Sequence, residues 1–204
     1  MTIHFHRGDL PDGLDLGKRV AIDTETQGLS LVRDGLCLVQ LSAGDGEAHI
    51  VQPDRANYDC PNLKALLADT GVEKLLHFAR FDLAIIERDL GVTMTPVFCT
   101  KIASKLVRTY TDRHGLKDVC REIAGVELSK QQQSSDWAAQ DLSEAQLNYA
   151  ASDVLYLHAI ADGLSAMLER EGRMEMARAC FDFLPSRARL DLMGWDETDI
   201  FAHS

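Results

Sequence analysis

Two apolar runs in the first quarter of the chain constrain the fold most. VAI at 20–22 and LCLVQL at 36–41 are continuous or nearly continuous apolar stretches rich in Val, Leu and Ile, with turn-forming residues between them. Runs of this kind are typical of strands buried in a sheet. Further strands are predicted at 47–51 and 73–77. The sequence therefore predicts a β-sheet built mainly from its first half.

Helical spacing dominates the rest of the chain. Helices are predicted over 62–69, 79–91, 101–108, 115–125 and 144–172. We expect Thr100 to cap the third of them, and Ser143 with Gln146 three residues later has the pattern of a capping box at the start of the last. Strands followed by helices, with one βα return between them, indicate an α/β domain with a mixed sheet.

The length of 204 residues predicts a single domain over 1–204. The stretch 184–204 is too apolar for a free tail, with Trp195, Ile200 and Phe201 near its end, yet it has no helical or strand period. We expect it to dock on the body or on a neighbouring subunit, and a frayed terminus is the alternative.

Composition and charge exclude some classes of protein. A net charge of −11 argues against coating of long duplexes, which needs a basic face, but it leaves room for a small nucleic-acid substrate. No run approaches the ~20 apolar residues of a membrane span, and the N-terminus lacks a secretory pattern. Five isolated cysteines without a CxxC pair predict free thiols in a reducing compartment. We therefore expect a cytoplasmic protein without a membrane partner.

Acidic residues follow or interrupt apolar segments at three places. Asp23 and Glu25 end the first buried strand and share one of its faces, about 7 Å apart. Carboxylate oxygens suit Mg²⁺ or Mn²⁺ better than zinc. A turn cap or an arginine partner is the alternative for this pair. Asp82 lies in an otherwise apolar helix, where a metal or the helix dipole would stabilise it.

The third acidic position is Asp153, which follows Tyr149 by four residues and so shares its helix face. Small residues lie between the two and allow close approach. A tyrosine one turn before an acid is a candidate proton acceptor for water. Packing in the core or at the surface is the ordinary alternative for such a tyrosine.

Together these positions resemble, in order and context, the three motifs of the DEDD exonucleases. Tyr149 matches the tyrosine subtype, the ribonuclease D group, because Asn148 stands where the histidine subtype has its histidine. The stretches HFARFDLAI, FCTKIASKLVRTYTDRHGLK, SKQQQSSDWAA and DLMGWDETDIFAHS are further similar to the nanoRNase C group of short bacterial exoribonucleases. The resemblance implies a ribonuclease H-like exonuclease fold, with a mixed central β-sheet flanked by α-helices.

The resemblance also implies an activity and a site. The expected enzyme is a metal-dependent 3′→5′ exonuclease that hydrolyses short oligoribonucleotides, especially dinucleotides, to nucleoside 5′-monophosphates. Two divalent ions, Mg²⁺ or Mn²⁺, would be held by Asp23, Glu25, Asp82 and Asp153, with Tyr149 orienting the water. The alternative is a ribonuclease D-like enzyme acting on longer RNA, such as tRNA 3′ ends, or on DNA. A binding module that keeps the fold without catalysis is a third reading. The resemblance further implies a homo-oligomer, an octamer.

Candidate substrate contacts are less specific. Lys101, Lys105 and Arg108 share one helix face and are candidates for the 5′ phosphate, although a solvated or salt-bridged surface is an equal alternative. Leu29 follows Gly28 beside the acid pair, where it would wedge between bases or pack in the core. The remaining candidates are Thr24, His77, Lys130, Gln133 and Ser134.

Overall fold

The computed structural model describes residues 1–129 and 131–203. Six strands form one mixed sheet in the order β1-β4-β3-β2-β5-β6. The strands are β1 (Thr2–Arg7), β2 (Arg19–Thr26), β3 (Leu36–Ser42), β4 (Glu47–Gln52), β5 (Glu73–Leu76) and β6 (Val97–Cys99). β3 runs antiparallel to both β2 and β4, and the other neighbouring pairs are parallel. The predicted fold class, a mixed sheet flanked by helices, is confirmed.

The predicted helices are present with shifts at their ends, and one further helix, the last, was not predicted. They are α1 (Pro61–Ala68), α2 (Ala79–Leu90), α3 (Thr100–Val107), α4 (Leu116–Val119), α5 (Glu144–Leu155), α6 (Leu157–Arg170) and α7 (Met174–Leu190). α4 continues as a π-helical turn at Cys120–Ala124, and α7 as one at Asp191–Trp195. The predicted capping box is present at the start of α5, where Ser143 and Gln146 bond each other's backbone N–H.

The order of elements brings distant parts of the chain to one end of the sheet. β2 and β5 are parallel neighbours, so their carboxyl ends meet at the same edge. Two residues separate the end of β5 from the start of α2, and α5 lies across β2, β3 and β4. Every residue of β3 is buried, as its apolar run predicts. Residues at the end of β2, the start of α2 and the middle of α5 therefore come together.

Several local predictions are wrong. β1 and β6 were not anticipated, and the predicted helix over 144–172 is divided at Tyr156. Thr100 does not cap α3: it is the first helical residue, and its hydroxyl donates to the Leu76 carbonyl instead. The apolar stretch after Phe183 does have helical structure, because α7 extends through Pro185 to Leu190.

The segment after α7 contacts α2 through buried charge. Asp191 is 4% exposed and lies between two guanidinium groups, those of Arg80 and Arg187. Arg80 also donates to the Asp196 carbonyl at 2.6 Å, and Arg187 donates to the Trp195 carbonyl at 2.7 Å. None of the helices in the described parts of the chain is long and apolar enough to cross a membrane.

Arg108 corrects the prediction of a basic face along α3. The residue follows the last turn of the helix, and its side chain is 1% exposed. It donates to the Glu122 carboxylate at 3.1 Å, to Ser104 Oγ at 2.9 Å and to the Arg113 carbonyl at 2.7 Å. Hydrogen bonds from Arg108 and Tyr110 lower the pKa of Glu122 to about 2, so this ion pair is formed at neutral pH. Arg108 therefore fixes the loop that joins α3 to α4 and is not available to a substrate.

We expect Arg108→Met to destabilise the protein by about 2–3 kcal/mol. Breaking a buried ion pair costs about 3–5 kcal/mol, and this value is reduced because Glu122 is partly exposed and regains water. Arg121→Met is the matched control, since Arg121 pairs with Asp118 and Glu127 near the surface, where its side chain is 45% exposed, and the change should alter stability by less than about 1 kcal/mol. Urea unfolding measures both variants, and equal midpoints would contradict the structural role of Arg108.

Candidate active site

The four acids and the tyrosine singled out in the sequence line one cavity of about 330 Å³. Asp23 and Glu25 come from the end of β2, Asp82 from the first turn of α2, and Tyr149 and Asp153 from α5. The structure thus brings together all five residues from three separate segments. Other residues that line the cavity are Thr24, Thr26, Leu29, His77, Phe78, Phe81, Lys101, Gly115, Leu116, Lys117, Leu128, Ser129 and Gln133.

Three of the acids are close enough to share a cation. One carboxylate oxygen from each of Asp23, Glu25 and Asp153 lies within 4.8 Å of the other two. Asp23 and Glu25 alternate with Thr24 on β2 and so point to the same side of the strand. Asp153 reaches this side because α5 crosses β2. The strand and the helix thus hold the three carboxylates from two different backbones.

Asp82 is the most buried of the acids at 4% exposure. Thr24 Oγ1 donates to Asp82 Oδ1 at 2.6 Å and fixes one of its oxygens. Its place in the first turn of α2 gives it the favourable end of the helix dipole. Thr24 was predicted as a substrate contact, and in the structure its hydroxyl orients an acid of the cavity.

Burial and mutual repulsion disfavour the charged form of all four carboxyls. Burial, and then the neighbouring carboxylates, raise the pKa of Asp23 well above its usual range and that of Glu25 to about 9. Burial raises the pKa of both Asp82 and Asp153 to about 7. Among the described residues no lysine or arginine forms an ion pair with any of them, so the arginine alternative for the acid pair finds no support. An all-oxygen set without a counterion fits hard divalent cations such as Mg²⁺ or Mn²⁺.

Tyr149 lies beside these acids and remains protonated. Its ring packs against the buried Trp137 with ring centroids 5.9 Å apart. Burial is the main cause that raises the pKa of Tyr149 above its usual range, and the nearby Asp153 and Glu25 raise it further. The protonated hydroxyl can donate a hydrogen bond and orient a bound molecule.

His77 is both a structural residue and part of the cavity wall. Thr100 gives its hydroxyl proton to the Leu76 carbonyl, so His77 Nδ1–H donates to Thr100 Oγ1 at 2.9 Å. Burial lowers the pKa of His77 to about 3, so its ring is neutral. Nε2 then carries a lone pair that has no partner among the described residues. His77 can accept a hydrogen bond from a ligand hydroxyl or amine.

Leu29 is 86% exposed at the cavity, which excludes the alternative of core packing. Asp34 stabilises the loop that carries Leu29, because its carboxylate accepts a hydrogen bond from the Ser30 N–H at 3.0 Å. Gly28 is required there, because a Cβ atom would lie 2.4 Å from Asp34 Oδ2. The loop geometry thus holds an apolar side chain beside the acids.

The other predicted substrate contacts divide into three groups. Lys101 and Gln133 line the cavity, and the Lys101 ammonium lies 4.2 Å from the centre of the Phe78 ring. Lys105 lines a neighbouring apolar groove instead, Ser134 is exposed away from the cavity lining, and Arg108 is buried as described above. Lys130 lies outside the described residues.

Two unusual residues at or beside the cavity were not singled out by sequence reasoning: Phe78, which lines it, and Gln40, which lies next to Asp23 in the sheet. Phe78 is 45% exposed and adopts a left-handed backbone conformation with φ of 67°, a strained state that clusters at functional sites. Gln40 pairs with Asp23 in the β2–β3 ladder and so shares its face; it is fully buried, and neither amide atom has a partner among the described residues. A positive φ and a strand register leave no signal in the sequence. The polar Gln40 within an apolar run was the one available hint.

The chain is similar to known nucleases. The family described as 3′–5′ exonuclease matches residues 12–169. Ribonuclease D of Acidiphilium cryptum is 35% identical over 156 residues, which cover 76% of this chain and 39% of that protein. The chain thus spans about two fifths of the length of the curated ribonuclease D relatives that it matches.

Solved structures agree over a larger share of the chain. NrnC of Brucella melitensis is 59% identical with a TM-score of 0.97 and covers 100% of this chain and 99% of that one. The same protein has been solved with bound Mg²⁺, at 57% identity and a TM-score of 0.95, and bound to pGG, at 58% and 0.97, both over 100% of each chain. Escherichia coli RNase D, an exoribonuclease involved in structured RNA processing, is 29% identical with a TM-score of 0.73 over 84% of this chain and 45% of that one.

These likenesses confirm the resemblance to the ribonuclease D and nanoRNase C groups and the ribonuclease H-like fold that it implied. The chain therefore belongs to the 3′–5′ exonuclease family, in its ribonuclease D and NrnC branch.

Proposed function

We propose that the protein is a 3′→5′ exoribonuclease that degrades very short oligoribonucleotides, dinucleotides above all, to nucleoside 5′-monophosphates. One observation carries the proposal: four carboxyls without a basic partner among the described residues converge with Tyr149 in a small cavity beside an exposed Leu29. The small cavity favours a ligand of a few residues over a long strand. The Brucella protein, which has been solved bound to pGG, supports the same reading.

Two divalent ions, Mg²⁺ or Mn²⁺, would complete this site. Asp23, Glu25 and Asp153 would hold one of them, and Asp82 with Asp23 the other. When bound, such ions lower the pKa of water, neutralise charge on the phosphate and support the leaving 3′ oxygen. The structure of the Brucella protein with Mg²⁺ supports the use of a divalent ion.

The side chains around the acids would position the substrate. Tyr149, protonated and next to Asp153, would orient the attacking water. Leu29 would pack between two bases, and His77 Nε2 would accept a hydrogen bond from the terminal nucleotide. Lys101 and Gln133 would face the far end of a short substrate, where Lys101 would meet its 5′ phosphate.

The second candidate is a ribonuclease D-like exonuclease on longer RNA, such as tRNA 3′ ends, or on DNA. Its support is the similarity to ribonuclease D. Against it stand the net charge of −11 and the burial of Arg108, which leave a short basic track. A binding module without catalysis is less consistent with the chain, because all four acids and the tyrosine are present.

The proposed enzyme works as a homo-oligomer, an octamer by its resemblance to nanoRNase C. The segment 184–204, part of a single exonuclease domain over 1–204, gives a physical motive. Its exposed apolar side chains are Met193, Trp195, Ile200 and Phe201. Burying them against a neighbouring subunit would stabilise the assembly. Five free cysteines agree with a cytoplasmic location.

Substrate length separates the two candidate enzymes. We expect a 5′-labelled series from dinucleotide to about a 20-mer to show cleavage of the dinucleotide at least about ten times faster than that of the longest strand. Both Mg²⁺ and Mn²⁺ should support the reaction, and EDTA should abolish it. Equal or faster cleavage of the long strands would favour the ribonuclease D-like alternative, and a matched DNA series measures discrimination against deoxyribose.

Asp153→Asn should abolish cleavage, by about 1000-fold or more, while the fold survives. In the metal-free state the variant should unfold at a higher temperature than wild type, because it removes one charge from a crowded buried cluster. Tyr149→Phe is the graded comparison: it keeps the packing on Trp137 and should retain a small residual activity. Differential scanning calorimetry with and without Mg²⁺ provides the stability data. Full activity of Asp153→Asn would refute the site.

Size-exclusion chromatography with light scattering tests the assembly. We expect a mass near eight times the chain mass of 22.6 kDa. Replacing Trp195 and Phe201 together with serine should shift the mass towards smaller species, because these side chains are exposed on the single chain. A monomeric wild-type protein would contradict the proposed octamer.

A further inference from the structure

A second group of metal-binding side chains lies on the sheet edge, apart from the acidic cavity. β1 carries His4 and His6 two residues apart, and β4 carries Glu47 and His49 two residues apart. The parallel register pairs His4 with His49. Because side chains two apart on a strand share a face, all four project from the same side of the two strands. We call them the edge histidine cluster.

The side chains of this cluster already contact one another. His4 Nε2 lies 2.9 Å from Glu47 Oε2, and His6 Nε2 lies 3.0 Å from His49 Nδ1. The His4 and His49 rings are stacked with centroids 4.6 Å apart. One donor atom from each of His4, Glu47 and His49 lies within 4.8 Å of the other two. His49 is buried, whereas His4 and Glu47 are 39% and 46% exposed.

We propose that the edge histidine cluster is a binding site for a divalent transition-metal ion, Zn²⁺, held by His4, Glu47 and His49. Two imidazole nitrogens and one carboxylate oxygen form a ligand set that zinc uses in proteins, with a fourth position open to water. The set differs in kind from the all-oxygen acidic cavity, which suits Mg²⁺ or Mn²⁺.

The distances require only a local adjustment. Tetrahedral zinc with bonds of about 2.0–2.2 Å needs ligand atoms about 3.3 Å apart, so the donors must close by up to about 1.5 Å. Rotation of the exposed His4 and Glu47 side chains supplies this movement, while the buried His49 stays in place. His6 then has a supporting role: its Nε2 lies 3.0 Å from His49 Nδ1 and would accept a hydrogen bond from it, which leaves His49 Nε2 free for the metal.

The competing explanation is a hydrogen-bonded ladder that only fixes the register of the two strands. It accounts for the two contacts at 2.9 and 3.0 Å. It gives no reason for three rings and a carboxylate to gather where a single polar pair would set the register. Burial and the neighbouring His4 lower the pKa of His49, which keeps its ring neutral and able to bind a metal.

Zinc at this position would connect the N-terminal strand to the sheet. β1 is an edge strand whose only neighbour in the sheet is β4, and none of its residues is fully buried. A metal shared by His4 and His49 would join positions 45 residues apart in the chain. A ligand that binds only the folded state raises the melting temperature, here by roughly 5–10 °C at 100 times its dissociation constant.

The test uses tag-free full-length protein and isothermal titration with Zn²⁺. Wild type should bind one more equivalent of Zn²⁺ than either His4→Gln or His49→Gln. Each substitution should raise the dissociation constant for Zn²⁺ at the edge histidine cluster by about 100-fold or more. His203→Gln is the matched control, since His203 is exposed and outside the cluster, and it should titrate like wild type. The half-exposed His4 is the safer variant if His49→Gln proves poorly folded.

Two readouts complete the experiment. Co²⁺ in place of Zn²⁺ should give visible absorption in wild type that is absent in His4→Gln. Zn²⁺ should raise the melting temperature of wild type and His203→Gln more than that of His4→Gln. Equal Zn²⁺ stoichiometry and affinity in wild type and both cluster variants would overturn the proposal, since the metal would then bind elsewhere, for instance at the acidic cavity. Neither readout uses cleavage, so failure here leaves the proposed exonuclease activity untouched.

Discussion

The repulsion among four buried carboxyls is the constraint on which the site depends. Asp23, Glu25, Asp82 and Asp153 each raise the cost of ionising the others, and burial prevents water from relieving it. A fold tolerates this only where rigid elements hold the groups, and here a central strand and two helices do so. The repulsion between the carboxylates lowers the stability of the protein when no cation is bound. A divalent cation bound between them would neutralise this repulsion.

The order of the strands in the sheet fixes where the four carboxyls lie relative to one another. β2 has an antiparallel neighbour on one side and a parallel neighbour on the other. The antiparallel neighbour, β3, is the next strand along the chain. The parallel pairing with β5 places the start of α2, and therefore Asp82, at the carboxyl end of β2. A slip of one residue in the β2–β5 register would turn Asp23 and Glu25 to the opposite face. Val20, Ala21 and Ile22 are all fully buried, so both faces of β2 are covered before the acids begin.

The sequence predicted the parts of the structure that depend on local periodicity and on chemically unusual residues. The apolar runs of β2 and β3, the capping box at Ser143 and the five site residues belong to this class. β1 was missed because its residues, HFH among them, are half-buried and carry polar side chains at alternate positions of an edge strand. Arg108 was misassigned because helical spacing shows which residues share a face and does not show that a face turns inward against Glu122.

The same limit explains why the acids were easier to find than the substrate contacts. An acid in an apolar segment conflicts with its surroundings, so it is visible without knowledge of the fold. A contact such as Lys101 or Phe78 becomes specific only when tertiary structure brings it to the cavity, and Lys105, one turn along the same helix, faces a different groove. Under the proposed function, substrate length would depend on the placement of a few ordinary residues around the acids. The acids themselves would carry the chemistry, and they are the part of the site that the sequence shows without the fold.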